Sequence, residues 1–465
     1  MTTSNQIPGR NGSIGSLWGE LLLKEDWWSI WIGLGLLLTA IGLFAGGSSL
    51  GWIAVIPAKW HALPDLGNQL INNAPRYFAQ FVLWTILFGI STHFLRIPFK
   101  EFFASFAFIY VVSILVFSLG QWDQSDYYNL EPPLVALALG LLLANTVSLP
   151  KWLESGFRVE FYIKIGIVLL GATLPFTLII WAGPVAILQA SIVSLTTFFV
   201  IYFVAKHLGL DRRLAATLGA GGAVCGVSGS IAIAGAVGAK KEHAPISISI
   251  VIFWAIVMIF VLPLVARSLG LPTGVAGAWI GTSEFADAAG FAAAQTYGSY
   301  AGHVPGIEGS AEAAVNAFTL MKVIGRDVWI GIWALVLSIV ATTRWEETGV
   351  SGRANYGEIW RRFPKFVIGF LLASLSVTLI SKGYNFAEYK ANVVPNLVAP
   401  VKNFRTWAFI FCFFSIGLTT KISDFAKAGA KPFYAFTAGV VVNVILGYVL
   451  STQVFVDFWV QLGQQ

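Results

Sequence analysis

Residues 311–333, AEAAVNAFTLMKVIGRDVWIGIW, carry Lys322 and Arg326 in the middle of an otherwise apolar run. Residues four apart share a helix face, so the two cations form one positive stripe. At membrane depth such charge is costly and faces a partner or a water-filled cavity. The neighbouring Asp327 offers a neutralising partner of purely structural use. A second polar island, GTSEFADAAG at 281–290, sets Glu284 and Asp287 three apart, read as one helical face, with Thr282 and Ser283 just ahead. These carboxylates can neutralise the two cations, or take up H⁺ or Na⁺ as access to a site alternates. A carboxylate that releases its cation on protonation does both.

The third feature is GAGGAVCGVSGSIAIAGAVGAKKEH at 219–243, with seven glycines in its first twenty residues and one of the two cysteines, Cys225. Glycine costs about 1 kcal/mol against alanine inside a helix, so this is poor helical material between good apolar segments. Non-helical backbone at membrane depth is tolerated only where it is buried in protein or lines a cavity. Broken helices use that freedom to aim free N–H groups and positive dipole ends at anions. Cys225, Gly226, Ser228, Gly229 and Ser230 therefore supply an unwinding point, close approach and polar hydrogens for a substrate. Gly222 and Gly226 also form a GxxxG pair suited to plain helix packing. The Gly-Val-Ser-Gly at 226–229 matches the GxSG of rhomboid proteases, but a serine nucleophile needs a histidine base. All five histidines fall in expected loops or helix ends, so no enzyme is expected. The dinucleotide fingerprint fails at Val224, and no βαβ unit surrounds it.

Which elements position these groups follows from composition. The 465 residues are 57% hydrophobic and 11% charged, against about 25% charged in soluble domains. The chain is an all-α polytopic membrane protein whose obligatory partner is the lipid bilayer. About 20 apolar residues cross a bilayer, and thirteen segments qualify: 27–45, 78–95, 99–119, 133–148, 161–182, 185–206, 212–239, 245–266, 274–297, 311–342, 363–381, 404–422 and 432–451. With a cytoplasmic N-terminus and every segment crossing, most Lys and Arg residues fall inside, as the positive-inside bias requires. Residues 219–243 are on this count a crossing segment. Three basic residues stay within segments: Lys322, Arg326 and Lys164, the last expected to snorkel to an interface. The net charge of +6 is explained by those loops, and no nucleic-acid partner is expected. The organisation read here is a tail at 1–26, an extension of about three helices at 27–132, and a transporter core of about ten helices at 133–465. That core is expected to form two inverted halves with broken helices at the midplane.

From about Pro133 onward the chain resembles the YeiH family, bacterial inner-membrane proteins described as sulfate exporters. The resemblance rests on GIVLLGATLPF (166–176), HLGLDRRLAATLGAGGAVCGVSGSIA (207–232), IGTSEFADAAG, the Lys322/Arg326 helix and KAGAKPF (427–433). Many relatives carry a His–acid pair after the Gly-Thr, where this chain has Glu284 and Asp287. Relatives also space the Lys and Arg three apart, against four here. The resemblance implies a secondary transporter, located in the bacterial inner membrane, that exports sulfate, sulfite or a related sulfur oxyanion or sulfonate. The substrate-binding residues expected are Cys225, Gly226, Ser228, Gly229, Ser230, Thr282, Ser283, Lys322 and Arg326. Glu284 and Asp287 are the ion-coupling pair for H⁺ or Na⁺. No cofactor or metal is expected, and a homo-oligomer is left open. Two rival readings use the same residues: a cation/proton antiporter binding its ion at Glu284 and Asp287, and an uncoupled anion channel.

Overall fold

The computed structural model describes residues 21–125, 130, 132–174, 176–345, 364–385, 388–425 and 429–464. Most of the expected tail at 1–26, the loop at 346–363 and Lys427 lie outside these. Every regular element described is a helix. In chain order those longer than six residues are α1 (Glu25–Ala45), α2 (Leu63–Phe94), α3 (Phe99–Gly120), α4 (Pro132–Thr146), α5 (Val159–Gly171), α6 (Phe176–His207), α7 (Arg212–Ala223), α8 (Gly226–Ala236), α9 (His243–Ser268), α10 (Thr273–Ser283) and α11 (Asp287–Ser299). Then come α12 (Ala311–Trp345), α13 (Phe366–Ser381), α14 (Tyr389–Thr419), α15 (Ala430–Val454) and α16 (Val456–Gln464). Eight of the described helices are long and apolar enough to cross a membrane.

Two segments expected to cross fold back instead. Arg213 Nη1, at the start of α7, donates to Gly238 O just beyond α8 at 2.7 Å. A Cβ on Gly221 would lie 2.7 Å from Ser230 Oγ, and one on Gly229 3.0 Å from Ala220 O. Residues nine apart touch only if the chain reverses between them, so α7 and α8 form a hairpin with its tip at Val224–Cys225. The same holds for α10 and α11. The Tyr297 hydroxyl, late in α11, donates to Leu271 O at 2.5 Å, ahead of α10. Here the tip is 284–286, with Glu284 and Ala286 in extended backbone. Each arm is 11 to 13 residues long, or roughly 17–20 Å at 1.5 Å per residue. That reaches only part-way through a core about 30 Å thick.

The hairpins enter from opposite ends. Helix α9 joins the open end of the first to the open end of the second, and its Ala266 O also lies near the Tyr297 hydroxyl. Because two segments reverse, the errors of sidedness cancel from α12 onward. Only the loops between the hairpins change ends. Lys240 and Lys241 join Arg212 and Arg213, while Arg267 moves to the opposite end. The charge bias becomes sharper than with every segment crossing.

Other boundaries also differ from expectation. The break expected at Gly183-Pro184 falls earlier, after Gly171, and Pro184 lies inside α6. Proline in a membrane helix is tolerated where neighbours re-satisfy the freed carbonyl. Helices α2 and α14 begin 15 residues ahead of the expected 78 and 404, at Leu63 and Tyr389. Around the hairpins, α1, α5 and α13 run parallel. Gly33 and Gly369 both abut Val168, and Phe176 N donates to Thr378 Oγ1. The extension packs on α14 through an aromatic cluster in which Tyr110 stacks on Trp407 and Phe106 meets Phe411 edge-on.

Candidate functional site

The two tips meet. Gly226 N donates to Phe285 O across them at 2.7 Å. Glycine is required there: a Cβ would stand 2.8 Å from Phe285 O and 2.2 Å from Val251 Cγ1. On the second tip the Glu284 carboxylate turns back on its own chain, accepting from Phe285 N at 2.9 Å and Ala286 N at 3.2 Å. Glu284 and Asp287 thus do not share a helix face. Glu284 lies in the turn, and Asp287 is the first residue of α11.

Lys322 and Arg326 sit behind the tips, fully buried. Lys322 Nζ donates to Val224 O at 2.9 Å and Glu284 O at 3.0 Å. Arg326 reaches Gly222 O (2.8 Å), Ala223 O (3.2 Å), Thr282 O (2.7 Å) and Glu284 O (3.0 Å). These are the last carbonyls of α7 and α10, left without intrahelical donors. Cations there also complement two negative helix ends, an effect worth up to about 2 kcal/mol each when partly buried.

The opposite ends of the break, the N-termini of α8 and α11, face a cavity. A space of about 170 Å³ is lined by Glu160, Cys225, Val227, Ala286, Asp287 and Ala288, among apolar residues of α9. A second, of about 380 Å³, is lined by Glu25, Asp26, Glu160, Lys164, Cys225, Ser228, Asp287 and Asp327. Both extend toward the end where α1 and α5 begin, the end that carries Arg212 and Arg344. Cys225 Sγ donates to Asp287 Oδ2 at 3.2 Å, and Lys322 Nζ is 3.7 Å from Asp287 Oδ1.

Of the expected residues, Cys225, Ser228 and Asp287 line the cavities. Gly226 and Gly229 build the tip. Ser230 is turned away, bonding Gly226 O and Ser247. Thr282 bonds Trp279 O, and it lies with Ser283 against Gly447 of α15. Lys164 does not snorkel free; it pairs with Asp26 at 2.7 Å and Glu160 at 3.3 Å. The acidic residues that sequence reasoning missed as cavity lining are Glu25, Asp26, Glu160 and Asp327. A signal existed for the first three: acidic residues near helix starts, opposite a basic residue left inside a segment.

Fold and site together define a polytopic all-α membrane protein organised around two opposed re-entrant hairpins. The family model described as Conserved hypothetical protein 698 matches residues 104–436, and the chain belongs to this family, the YeiH family. It is 31% identical over 426 residues to a UPF0324 membrane protein of Nitratidesulfovibrio vulgaris, covering 90% of this chain and 70% of that relative. A UPF0324 membrane protein of Rhodopirellula baltica is 31% identical, with 86% and 71% covered. One from Nitrosomonas europaea is 27% identical, with 87% and 89% covered. No solved structure matches the chain.

Proposed function

We propose that the protein is a secondary active transporter that binds a small anion, a sulfur oxyanion or sulfonate, between the N-termini of α8 and α11, with H⁺ as coupling ion. The observation that carries this reading is the meeting of two half-helix N-termini at one cavity. First-turn N–H groups have no intrahelical partner and carry the positive dipole end, which makes such termini anion sites. Cys225 and Ser228 add polar hydrogens. Lys322 and Arg326 act from behind, as fixed positive charge and as the rivets that hold the tips. An anion in this cavity faces Asp287, so its binding favours protonation there, and the linkage is reciprocal. Anion and proton then move together, and the two gradients jointly set the direction. Export requires the outward anion gradient to exceed an inward proton gradient. By the positive-inside bias, the cavity end is cytoplasmic.

The antiporter reading draws on a different observation. The cavity walls carry Glu160, Asp287 and Asp327, whereas Lys322 and Arg326 point into backbone. The test uses Cys225 in a Cys412→Ala protein. Sulfite, sulfate and a small sulfonate, at constant ionic strength against gluconate, are expected to slow its alkylation several-fold. Protection by Na⁺ with no effect of any of these anions would favour the antiporter and exclude the anion site.

A further inference from the structure

We propose that Asp287 and Asp327 hold one proton between them, and that this shared proton is the ion coupled to the anion; the inference rests on the reading of the cavity as an anion site. Asp327 follows a wide turn of α12. Residues 320–326 are π-helical, and Asp327 N donates to Lys322 O, five residues back, at 3.0 Å. That bond brings Asp327 round over Lys322, whereas in an α-helix it would face elsewhere. Its carboxylate is fully buried and lines the larger cavity. Among the described residues neither of its oxygens has a hydrogen-bond partner, and Asp287 Oδ1 has none either. Cys225 Sγ and one oxygen from each aspartate all lie within 4.8 Å of one another.

The charged and titratable groups facing this pair come from every surrounding element. They are Lys322 and Arg326 on α12, Cys225 on the first tip, Glu284 on the second, Glu160 and Lys164 on α5, and Glu25 and Asp26 on α1. Lys322 donates to two carbonyls and also stands 3.7 Å from Asp287 Oδ1, so it balances at most one of the two negative charges. Arg326 donates to carbonyls, and Lys164 is held between Asp26 and Glu160. Two carboxylates this close in a low-dielectric wall do not both ionise cheaply. One proton relieves the repulsion and supplies an O–H donor, through a side-chain rotation or one cavity water, to the bare oxygens opposite. The proton comes from cavity water and leaves by the same route. An anion arriving at α8 and α11 adds negative charge beside the pair and increases its proton occupancy.

The experiment is infrared difference spectroscopy of the full chain in liposomes, titrated from about pH 5 to 9, a span above the ordinary aspartate value in which only a buried carboxyl still holds its proton. Wild type is expected to give a buried protonated-carboxyl band that is lost in both Asp287→Asn and Asp327→Asn. Sodium sulfate, added at a fixed pH within the titration, is expected to strengthen it. Asp327→Glu keeps a carboxyl and is expected to retain a band with a shifted midpoint. A wild-type band in Asp327→Asn overturns the shared proton. If that variant does not fold, an unshifted band in Asp327→Glu overturns it instead. A band lost in both Asn variants but indifferent to sulfate, sulfite and sulfonate overturns the coupling to an anion and hands the pair to the antiporter reading.

Discussion

Gly226→Leu is expected to reduce oxyanion uptake in proteoliposomes to the level of protein-free vesicles, while the protein still inserts and purifies. The position is the seam between the hairpins. Its N–H crosses to Phe285 O, and an added Cβ would stand 2.8 Å from that same oxygen. Overpacking of a filled site costs about 1–3 kcal/mol, and here the obstructing atom is backbone that a rotamer change cannot clear. The strain parts the tips and displaces the N-terminus of α8 from the cavity. Long apolar helices elsewhere still secure insertion, so abundance falls far less than activity. Normal uptake in Gly226→Leu would mean that the tips need not touch.

Arg326→Gln is expected to be the most destabilising single substitution at the site. Arg326 satisfies carbonyls of Gly222, Ala223, Thr282 and Glu284, on both hairpins at once. Each buried acceptor left bare costs about 1–3 kcal/mol, and glutamine can reach one or two of the four. Lysine does not rescue, because it lacks the planar fork that spans two helix ends. The expected outcome is a fall in thermal stability in detergent of several kcal/mol, larger than for Lys322→Gln, with substantial loss of monodisperse protein. A variant as stable as wild type but deficient in anion affinity would return Arg326 to direct substrate binding.

Much of this arrangement is legible in the sequence, for definite reasons. The polytopic all-α class follows from 57% hydrophobic and 11% charged residues. The two breaks announce themselves as a glycine-rich run and a polar island, because backbone that leaves the helix needs small residues or polar caps. Whether a broken segment crosses or returns is not legible from its length, since 28 residues of two short arms and one long helix look alike. The charge bias held the missing information. Folding back one segment alone inverts every later loop, but folding back both restores them and improves the placement of Lys240 and Lys241. The pairing of Glu284 with Asp287 assumed a continuous helix, which the extended tip at 284–286 removes. Asp327 was invisible as a cavity group because the π-turn at 320–326 rotates it, and periodicity carries no signal for one inserted residue.

The claim that the joined tips form the site of a proton-coupled anion transporter is tested most directly by radiolabelled sulfite and sulfate uptake into proteoliposomes under an imposed pH gradient. An alkaline lumen is expected to drive transient accumulation of one of these anions above equilibrium, with protons entering alongside, and Asp287→Asn is expected to abolish the overshoot. Uptake that follows the anion gradient alone, with the same time course at every lumen pH, would contradict the account and leave an uncoupled pathway.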